Sequence, residues 1–124
     1  MENLPEKISE SELEVMRVLW EAGDALPITE IRQLLQERKG WEATTVKTLI
    51  QRLLGKGAVS QEKRKVFYYS PLVSEQEYND WAANDLVRRL FRGSAKELVV
   101  TLVKSEGLSA QDIDELRALF KVEE

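Results

Sequence analysis

The chain has 124 residues with a net charge of −4, and its 43% hydrophobic and 32% charged residues are typical of a globular protein. It contains no cysteine and no histidine, which excludes disulfides, Cys/His metal sites and Ser/His or Cys/His catalysis. The N-terminal segment is acidic and lacks the apolar core of a signal peptide, and no apolar run reaches the roughly 18 residues of a membrane span. We therefore expect a cytoplasmic protein without membrane insertion.

The first two predicted elements are amphipathic helices that end at glycines. Ser9 and Glu12 form a capping box, which predicts a helix from that point to Gly23. Pro27 is predicted to lie in the first turn of a second helix, which Gly40 ends. The side chains expected to face the core are large and apolar: Leu13, Val15, Met16, Val18, Leu19, Trp20, Ile31, Leu34 and Leu35.

A third helix is predicted within Trp41–Gly57, where Gly55 and Gly57 are expected to end it. Its apolar stripe follows the helical period and consists of Val46, Leu49, Ile50, Leu53 and Leu54. The opposite face has hydroxyls, an amide and cations but no acid, a set that can meet the donors, acceptors and thymine methyls of a major groove. The predicted base-reading residues are Thr44, Thr48, Gln51 and Arg52. Thr45 and Lys47 are predicted to contact flanking phosphates; the alternative is an ordinary solvated helix face.

A two-stranded hairpin is predicted after this helix. Ala58–Gln61 forms one strand, residues 62–65 form a charged tip, and residues 66–69 form a second strand that ends before Pro71. The tip cations Lys63, Arg64 and Lys65 suit contacts with DNA phosphates, and the alternative is a solvated turn. Three helices followed by a hairpin predict a mostly α, winged helix-turn-helix domain over residues 1–73, with the third helix in the major groove.

The charge distribution agrees with this prediction. Residues 1–73 carry 11 Lys/Arg and 11 Asp/Glu, whereas residues 74–124 carry 7 and 11. Within residues 40–73, six cations stand against two acids. Contacts with phosphates require a local basic patch and not a high overall isoelectric point, so a net negative chain is compatible with DNA binding.

Three further helices are predicted over residues 74–124, which we interpret as a helical dimerisation region. Each begins at a capping box, namely Ser74–Glu77, Ser94–Glu97 and Ser109–Asp112. Three short helices expose more apolar surface than they can bury in one another, which favours a symmetric homodimer on a dyad-symmetric operator; packing onto the winged domain is the alternative. The predicted dimer interface comprises Trp81, Leu86, Leu90, Leu98, Leu102, Ile113, Leu116 and Phe120.

The sequence resembles the penicillinase-repressor family of the BlaI/MecI type. The resemblance covers nearly the whole chain and is clearest in four segments, which occur in the family's order: Glu12–Trp20, Thr44–Val59, Phe67–Tyr78 and Leu98–Phe120. The pattern TTV-x-TL-x-x-RL-x-x-KG within the second segment is specific, and its combination with W-x-x-TTV and Y-S-P-L-V is more specific still. The resemblance implies a homodimeric winged-helix repressor of double-stranded DNA operators that controls antibiotic-resistance or related genes.

The resemblance also bears on how repression ends. Penicillinase repressors are cut at an Asn–Phe bond after a signal from a membrane sensor, so a sensor protease is a candidate partner, and alignment places the bond at Thr101–Leu102. Neither residue matches that pair, and the alternative is an ordinary buried helix segment. Copper-responsive members use a cysteine-rich tail, which this chain lacks.

Two other classes of protein are alternatives to a repressor. A winged-helix module for protein–protein interaction would share the core pattern, but it would not need an acid-free helix face beside a cation-rich tip. An enzyme would need a phosphate loop, a metal cluster or a nucleophile–base pair, and none of these is visible. We therefore predict no catalytic residues, no metal site and no cofactor.

Overall fold

The computed structural model describes residues 7–120 of the chain. Three helices form the first part, α1 (Glu10–Ala22), α2 (Ile28–Lys39) and α3 (Ala43–Gly55). The strands are β1 (Leu26–Pro27), β2 (Val59–Lys63) and β3 (Phe67–Pro71). Three further helices follow, α4 (Glu75–Leu90), α5 (Ala95–Lys104) and α6 (Ala110–Leu119). This order confirms the predicted winged helix-turn-helix followed by a helical region.

The predicted capping boxes occur at the starts of the helices. Each box involves only residues within one helical turn. At α1, the hydroxyl of Ser9 accepts from the Glu12 N–H at 3.2 Å, and the Ser9 N–H donates to Glu12 Oε1 at 3.0 Å. Equivalent reciprocal pairs occur at α4 and α6. At α5, the hydroxyl of Ser94 accepts from the Glu97 N–H at 3.1 Å.

The sheet has one strand more than the sequence predicted. Leu26 and Pro27 pair antiparallel with Tyr69 and Tyr68, giving the strand order β1-β3-β2. The prediction that Pro27 lies inside the first turn of α2 is therefore wrong, because Pro27 is the extended N-cap residue that ends β1. A two-residue strand has no detectable sequence period, and its pairing depends on a partner more than 40 residues away.

The ends of α3 and of the hairpin also differ from the sequence prediction. Gly55 is the last helical residue, and Gly57 alone takes the left-handed conformation, with φ of 75°. Glu62 and Lys63 belong to β2, so the turn falls at residues 64–66 and not at 62–65. The Arg64 N–H donates to the Val66 carbonyl at 3.0 Å and closes this turn. The wing tip thus presents Arg64 and Lys65 beyond the last paired residues.

The core of the winged part lies between the three helices and the inner face of the sheet. Its fully buried large side chains come from each helix: Met16, Leu19, Ile31, Leu35, Val46 and Leu53. Leu13, Leu34 and Leu54 are half-buried at its edge. Trp20 is also half-buried. Its indole Nε1–H donates to the Val73 carbonyl at 2.9 Å. Packing against this core orients α3 so that its polar face is exposed.

The chain divides into two compact units, of which the first ends at Trp81 and the second begins at Ala82. The predicted division at residue 73 corresponds to the segment just before α4, and it stays a prediction. In the second unit, neither α5 nor α6 has a buried residue. Its large exposed hydrophobic side chains are Leu90, Val99, Leu102, Val103, Leu119 and Phe120.

Candidate nucleic-acid interface

The polar face of α3 is the centre of the candidate interface. All six predicted side chains on this face are exposed: Thr44, Thr45, Lys47, Thr48, Gln51 and Arg52. The hydroxyl of Thr48 donates to the Thr44 carbonyl at 3.0 Å. The hydroxyl hydrogen is thus used within the helix, and Thr48 can offer a base its oxygen lone pairs and its methyl group. Such a residue can accept a hydrogen bond or contact a thymine methyl.

The two flanks of α3 face different surroundings. Thr45, Thr48 and Arg52 line a groove of about 540 Å³ together with Ser9 and Ser11, which we call the α1-side groove. On the other flank, a recess of about 360 Å³ lies between α2, α3 and the hairpin, which we call the wing-side recess. Lys47 and Gln51 line the wing-side recess. Arg52 therefore shares a flank with Thr45 and not with Gln51, and its base-reading role stays a prediction.

The wing tip presents three exposed cations in different settings. The Arg64 guanidinium pairs with Glu62 Oε1 at 2.9 Å, and its Cζ lies 4.1 Å from the centre of the Tyr68 ring. The hydrogen bond to Glu62 raises the pKa of Arg64 above its usual value. Within residues 7–120, Lys63 and Lys65 make no ion pair. Arg64 is thus oriented before any partner arrives, whereas the two lysines are unconstrained.

Lys56 differs from the other cations that the sequence places in the basic patch. Its Nζ lies 2.6 Å from Glu12 Oε1 and donates to the Lys7 carbonyl at 2.7 Å. Glu12 is 2% exposed. Burial by itself raises the pKa of Glu12, but the hydrogen bonds from Lys56 and the Ser9 backbone, together with the charge of Lys56, lower it below 4.5. Lys56 therefore joins the end of α3 to the start of α1 and is not free to bind phosphate.

Arg32 is a cation near the interface that the sequence did not single out. It lies on α2, is half-buried and lines the wing-side recess. The signal was available: Ile28, Arg32 and Leu35 recur at i, i+4 and i+7, so a cation interrupts a stripe that is otherwise apolar. What this cation faces could not be predicted, because residues of the hairpin, distant in sequence, complete the recess.

The predicted dimer-interface residues occupy two settings. Trp81 is half-buried in the first unit, where its ring centre lies 5.9 Å from that of Tyr78, which in turn lies 6.2 Å from that of Trp20. In the second unit, Leu86, Leu98, Ile113 and Leu116 are half-buried, whereas Leu90, Leu102 and Phe120 are exposed. Their assignment to an interface between two chains stays a prediction.

The position aligned with the family's cleavage site lies on α5. Thr101 and Leu102 are both exposed, and Leu102 is 39% exposed. Their assignment to a cleavage site stays a prediction, as does the alternative of an ordinary buried helix segment. Across residues 7–120, no cluster of three Asp or Glu side chains could hold a metal ion, and no helix is long and apolar enough to cross a membrane.

Comparison with known proteins decides the family. The family model of the penicillinase repressor matches residues 8–122. The chain belongs to the penicillinase repressor family. It is 31% identical over 122 residues to the penicillinase repressor of Bacillus licheniformis, covering 98% of this chain and 94% of that protein. It is 34% identical over 121 residues to the methicillin resistance regulatory protein MecI of Staphylococcus aureus strain N315, covering 97% and 98%.

Solved structures agree with the family at the level of the winged unit. The solution structure of the DNA-binding domain of the repressor BlaI is 36% identical, with a TM-score of 0.55, and the match covers 60% of this chain and 90% of that one. The monomeric form of Bacillus licheniformis BlaI in complex with the blaP half-operator matches with a TM-score of 0.53 at the same identity and coverage. The resemblance noted from the sequence is confirmed, as is the prediction that the chain is not an enzyme, because the family consists of transcriptional repressors.

Proposed function

We propose that this chain represses transcription as a homodimer on a dyad-symmetric DNA operator, with α3 in the major groove and the β2–β3 wing along the adjacent backbone. DNA binding and repression follow from membership of the family. The observation that supports the arrangement is the exposed, acid-free face of α3 beside a wing tipped with Lys63, Arg64 and Lys65. A helix in the major groove reads bases, and cations at its margin fix its register on the phosphates.

The residue roles follow from these positions. Thr44, Thr48 and Gln51 face outward on α3 and are proposed to read bases together with Arg52. Thr45 and Lys47 lie on opposite flanks of the helix, and each is proposed to contact the phosphates at its own margin of the groove. The wing cations are proposed to contact phosphates of the adjacent groove. The BlaI monomer bound to a half-operator supports one winged unit per half-site.

The second unit is proposed to form the dimer. An apolar recess of about 240 Å³ on α5 and α6, lined by Val99, Ile113, Leu116 and Phe120 among others, is open in the single chain. Phe120 and Leu119 are each 74% exposed. Exposed apolar patches of this kind mark interaction surfaces, and a two-fold axis would cover the same patch on both chains at once.

Two further elements of the proposal follow from the family. A repressor acts on chromosomal DNA, so we place this one in the cytoplasm. A sensor protease remains a proposed partner, and the exposed Thr101–Leu102 position on α5 is the bond it would address. The side chains of this bond differ from the Asn–Phe pair of the family type, so a protease specific for that pair should cut it slowly.

The first test is fluorescence anisotropy with the protein's own upstream intergenic DNA and a scrambled control at several salt concentrations. Specific repression requires tight binding to the native fragment, a clear advantage over the control, and a steep decrease in affinity with salt. Equal and weak binding to both fragments with a flat response to salt would instead favour a winged-helix module that binds proteins. Footprinting of the bound fragment would then define the operator and its symmetry.

A further inference from the structure

The wing-side recess contains positive charges that form no ion pair with any residue of the described part of the chain. Its two cations are Arg32 from α2 and Lys47 from α3, and its two amides are Gln51 and Gln61. No acid is among the described residues that line it. Apolar side chains complete the walls, including Ile50, Leu54 and Phe67. The recess therefore combines positive charge with apolar surface, as ligand sites commonly do.

Arg32 has a buried hydrogen-bond donor that is not satisfied within the described part of the chain. Its Nε atom is shielded from solvent and has no hydrogen-bond partner among residues 7–120. The same part of the chain offers Arg32 no ion pair. A half-buried guanidinium without a counter-charge is unfavourable, and such groups are normally paired. An anion within the recess would supply the missing partner.

Tyr69, an ionisable side chain that also lines the recess, cannot fill this role. Burial raises the pKa of Tyr69, and the charge of Arg32 offsets this only in part, so the phenol is neutral at pH 7. The Tyr69 hydroxyl donates to Gln61 Oε1 at 3.0 Å, which orients the amide at the wall of the recess. Lys47 adds a second cation, which is exposed, to the recess. The local field thus attracts an anion from solution.

We propose that the wing-side recess binds a small organic anion, a carboxylate or phosphate monoester with an aromatic or branched aliphatic body, and that its occupancy opposes DNA binding. Arg32 and Lys47 would hold the charged group, and Phe67, Ile50 and Leu54 would contact the body. The volume of about 360 Å³ lies within the usual range for small-molecule sites. The effect of the bound anion on DNA binding rests on the proposed function, because Lys47 and Gln51 also lie on the face of α3 that is proposed to contact DNA.

The binding half is tested without DNA. Two-dimensional ¹H–¹⁵N NMR of the full chain is recorded during titration with benzoate at constant ionic strength, with benzamide and acetate as matched ligands that lack the charge or the body. Saturable shifts of the Arg32 Nε–H and the Gln61 side-chain amide are expected with benzoate, and at least about tenfold weaker responses with the other two. Linear shifts of equal size with all three ligands would overturn the site.

Two variants distinguish benzoate binding in the recess from a general effect of the protein's charge. Arg32→Gln should weaken benzoate at least about tenfold, whereas Arg38→Gln should leave its affinity unchanged. Arg38 lies on the same helix outside the recess and pairs with Glu21 at 2.8 Å. Thermal unfolding of Arg32→Gln should show no loss of Tm, because its Nε makes no hydrogen bond in the described structure. Equal loss of benzoate affinity in both variants would overturn a role for Arg32.

The coupling half is tested by anisotropy on the operator fragment with and without benzoate. Benzoate should weaken DNA binding by the wild type in proportion to its occupancy of the recess, and it should leave the affinity of Arg32→Gln unchanged. Benzoate binding without any effect on DNA would overturn the coupling. A lower salt slope for Arg32→Gln, together with no benzoate binding by the wild type, would assign the recess to a DNA phosphate and overturn the proposal. If the protein binds no DNA but binds benzoate as described, the proposed function fails and the site stands.

Discussion

At the scale of single residues, the two flanks of α3 separate cations that the sequence could only list together. Lys47 lies beside the wing, and Arg52 lies beside Ser9 and Ser11 in the α1-side groove. They lie on opposite sides of the helix that is proposed to enter the major groove. Their contributions to affinity can therefore be distinguished by substituting each cation separately. The two variants should differ in sequence preference and in the salt dependence of binding.

Arg52→Ala is the test of base reading on the α1 side. If Arg52 pairs with a guanine, its loss should weaken operator binding by roughly 1–3 kcal/mol and relax the preference at one base position. Competition by a panel of single-base operator variants measures both effects. Arg17→Ala is a matched control, since Arg17 is an exposed arginine on α1 that pairs with Glu14. A uniform loss over all sequences would make Arg52 a phosphate contact instead.

The wing offers a complementary test, because one of its cations is partly neutralised by its neighbour. Arg64→Ala should weaken binding to all sequences alike and decrease the salt slope by about one. Glu62→Gln is the opposite change: it removes the carboxylate paired with Arg64 at 2.9 Å and should strengthen binding. Both are measured by anisotropy from low to moderate salt. Sequence-dependent losses in Arg64→Ala would place its guanidinium in a groove and not on the backbone.

At the scale of elements, α1 and α3 are joined by a partly buried ion pair that the sequence does not reveal. Glu12 begins as half of a capping box at the start of α1, and the fold then brings Lys56 from the end of α3 within 2.6 Å of it. One carboxylate thus caps one helix and positions the end of another. The orientation of α3 relative to α1 should therefore depend on the charge of Glu12.

This pair predicts a pH dependence of folding stability. The folded-state pKa of Glu12 is lowered below 4.5, so its stabilisation is present above the unfolded pKa and is lost as the pH falls through the lower folded value. Glu12→Gln should lower the free energy of unfolding by roughly 2 kcal/mol at pH 7 and flatten its pH dependence below pH 4.5.

Urea denaturation between neutral and acidic pH gives both quantities. Glu10→Gln is the control, because Glu10 is an exposed carboxylate in the same turn of α1. If the two variants show the same pH profile, the Glu12–Lys56 pair does not determine acid stability.

The elements that the sequence predicted best are those defined by neighbouring residues. Serine-led capping boxes and left-handed glycines such as Gly23 act within one helical turn, so the starts of α1, α4 and α6 and the end of α1 were predictable. The strand β1, the Glu12–Lys56 pair and the surroundings of Arg32 were not, because each depends on residues brought together only by the fold. For the same reason, the sequence identified the exposed face of α3 but not the difference between its flanks.

At the scale of the whole molecule, one winged unit is proposed to contact one operator half-site, whereas a dimer would contact two half-sites at once. Two linked half-sites bind more tightly than one because the second contact is intramolecular. The exposed apolar side chains of α5 and α6 are the surface proposed to supply this link. Operator affinity should therefore depend on residues that contact no DNA.

Phe120→Ala tests this dependence. Phe120 is 74% exposed in the single chain, so its truncation should leave the fold of one chain intact. If the side chain is buried between two chains, the truncation should weaken the dimer by roughly 3–5 kcal/mol, which sedimentation equilibrium measures. The variant should then bind a single half-site as the wild type does, but lose the advantage of the wild type on the full dyad at nanomolar protein. An unchanged dimer with unchanged preference for the dyad would locate the interface away from the end of α6.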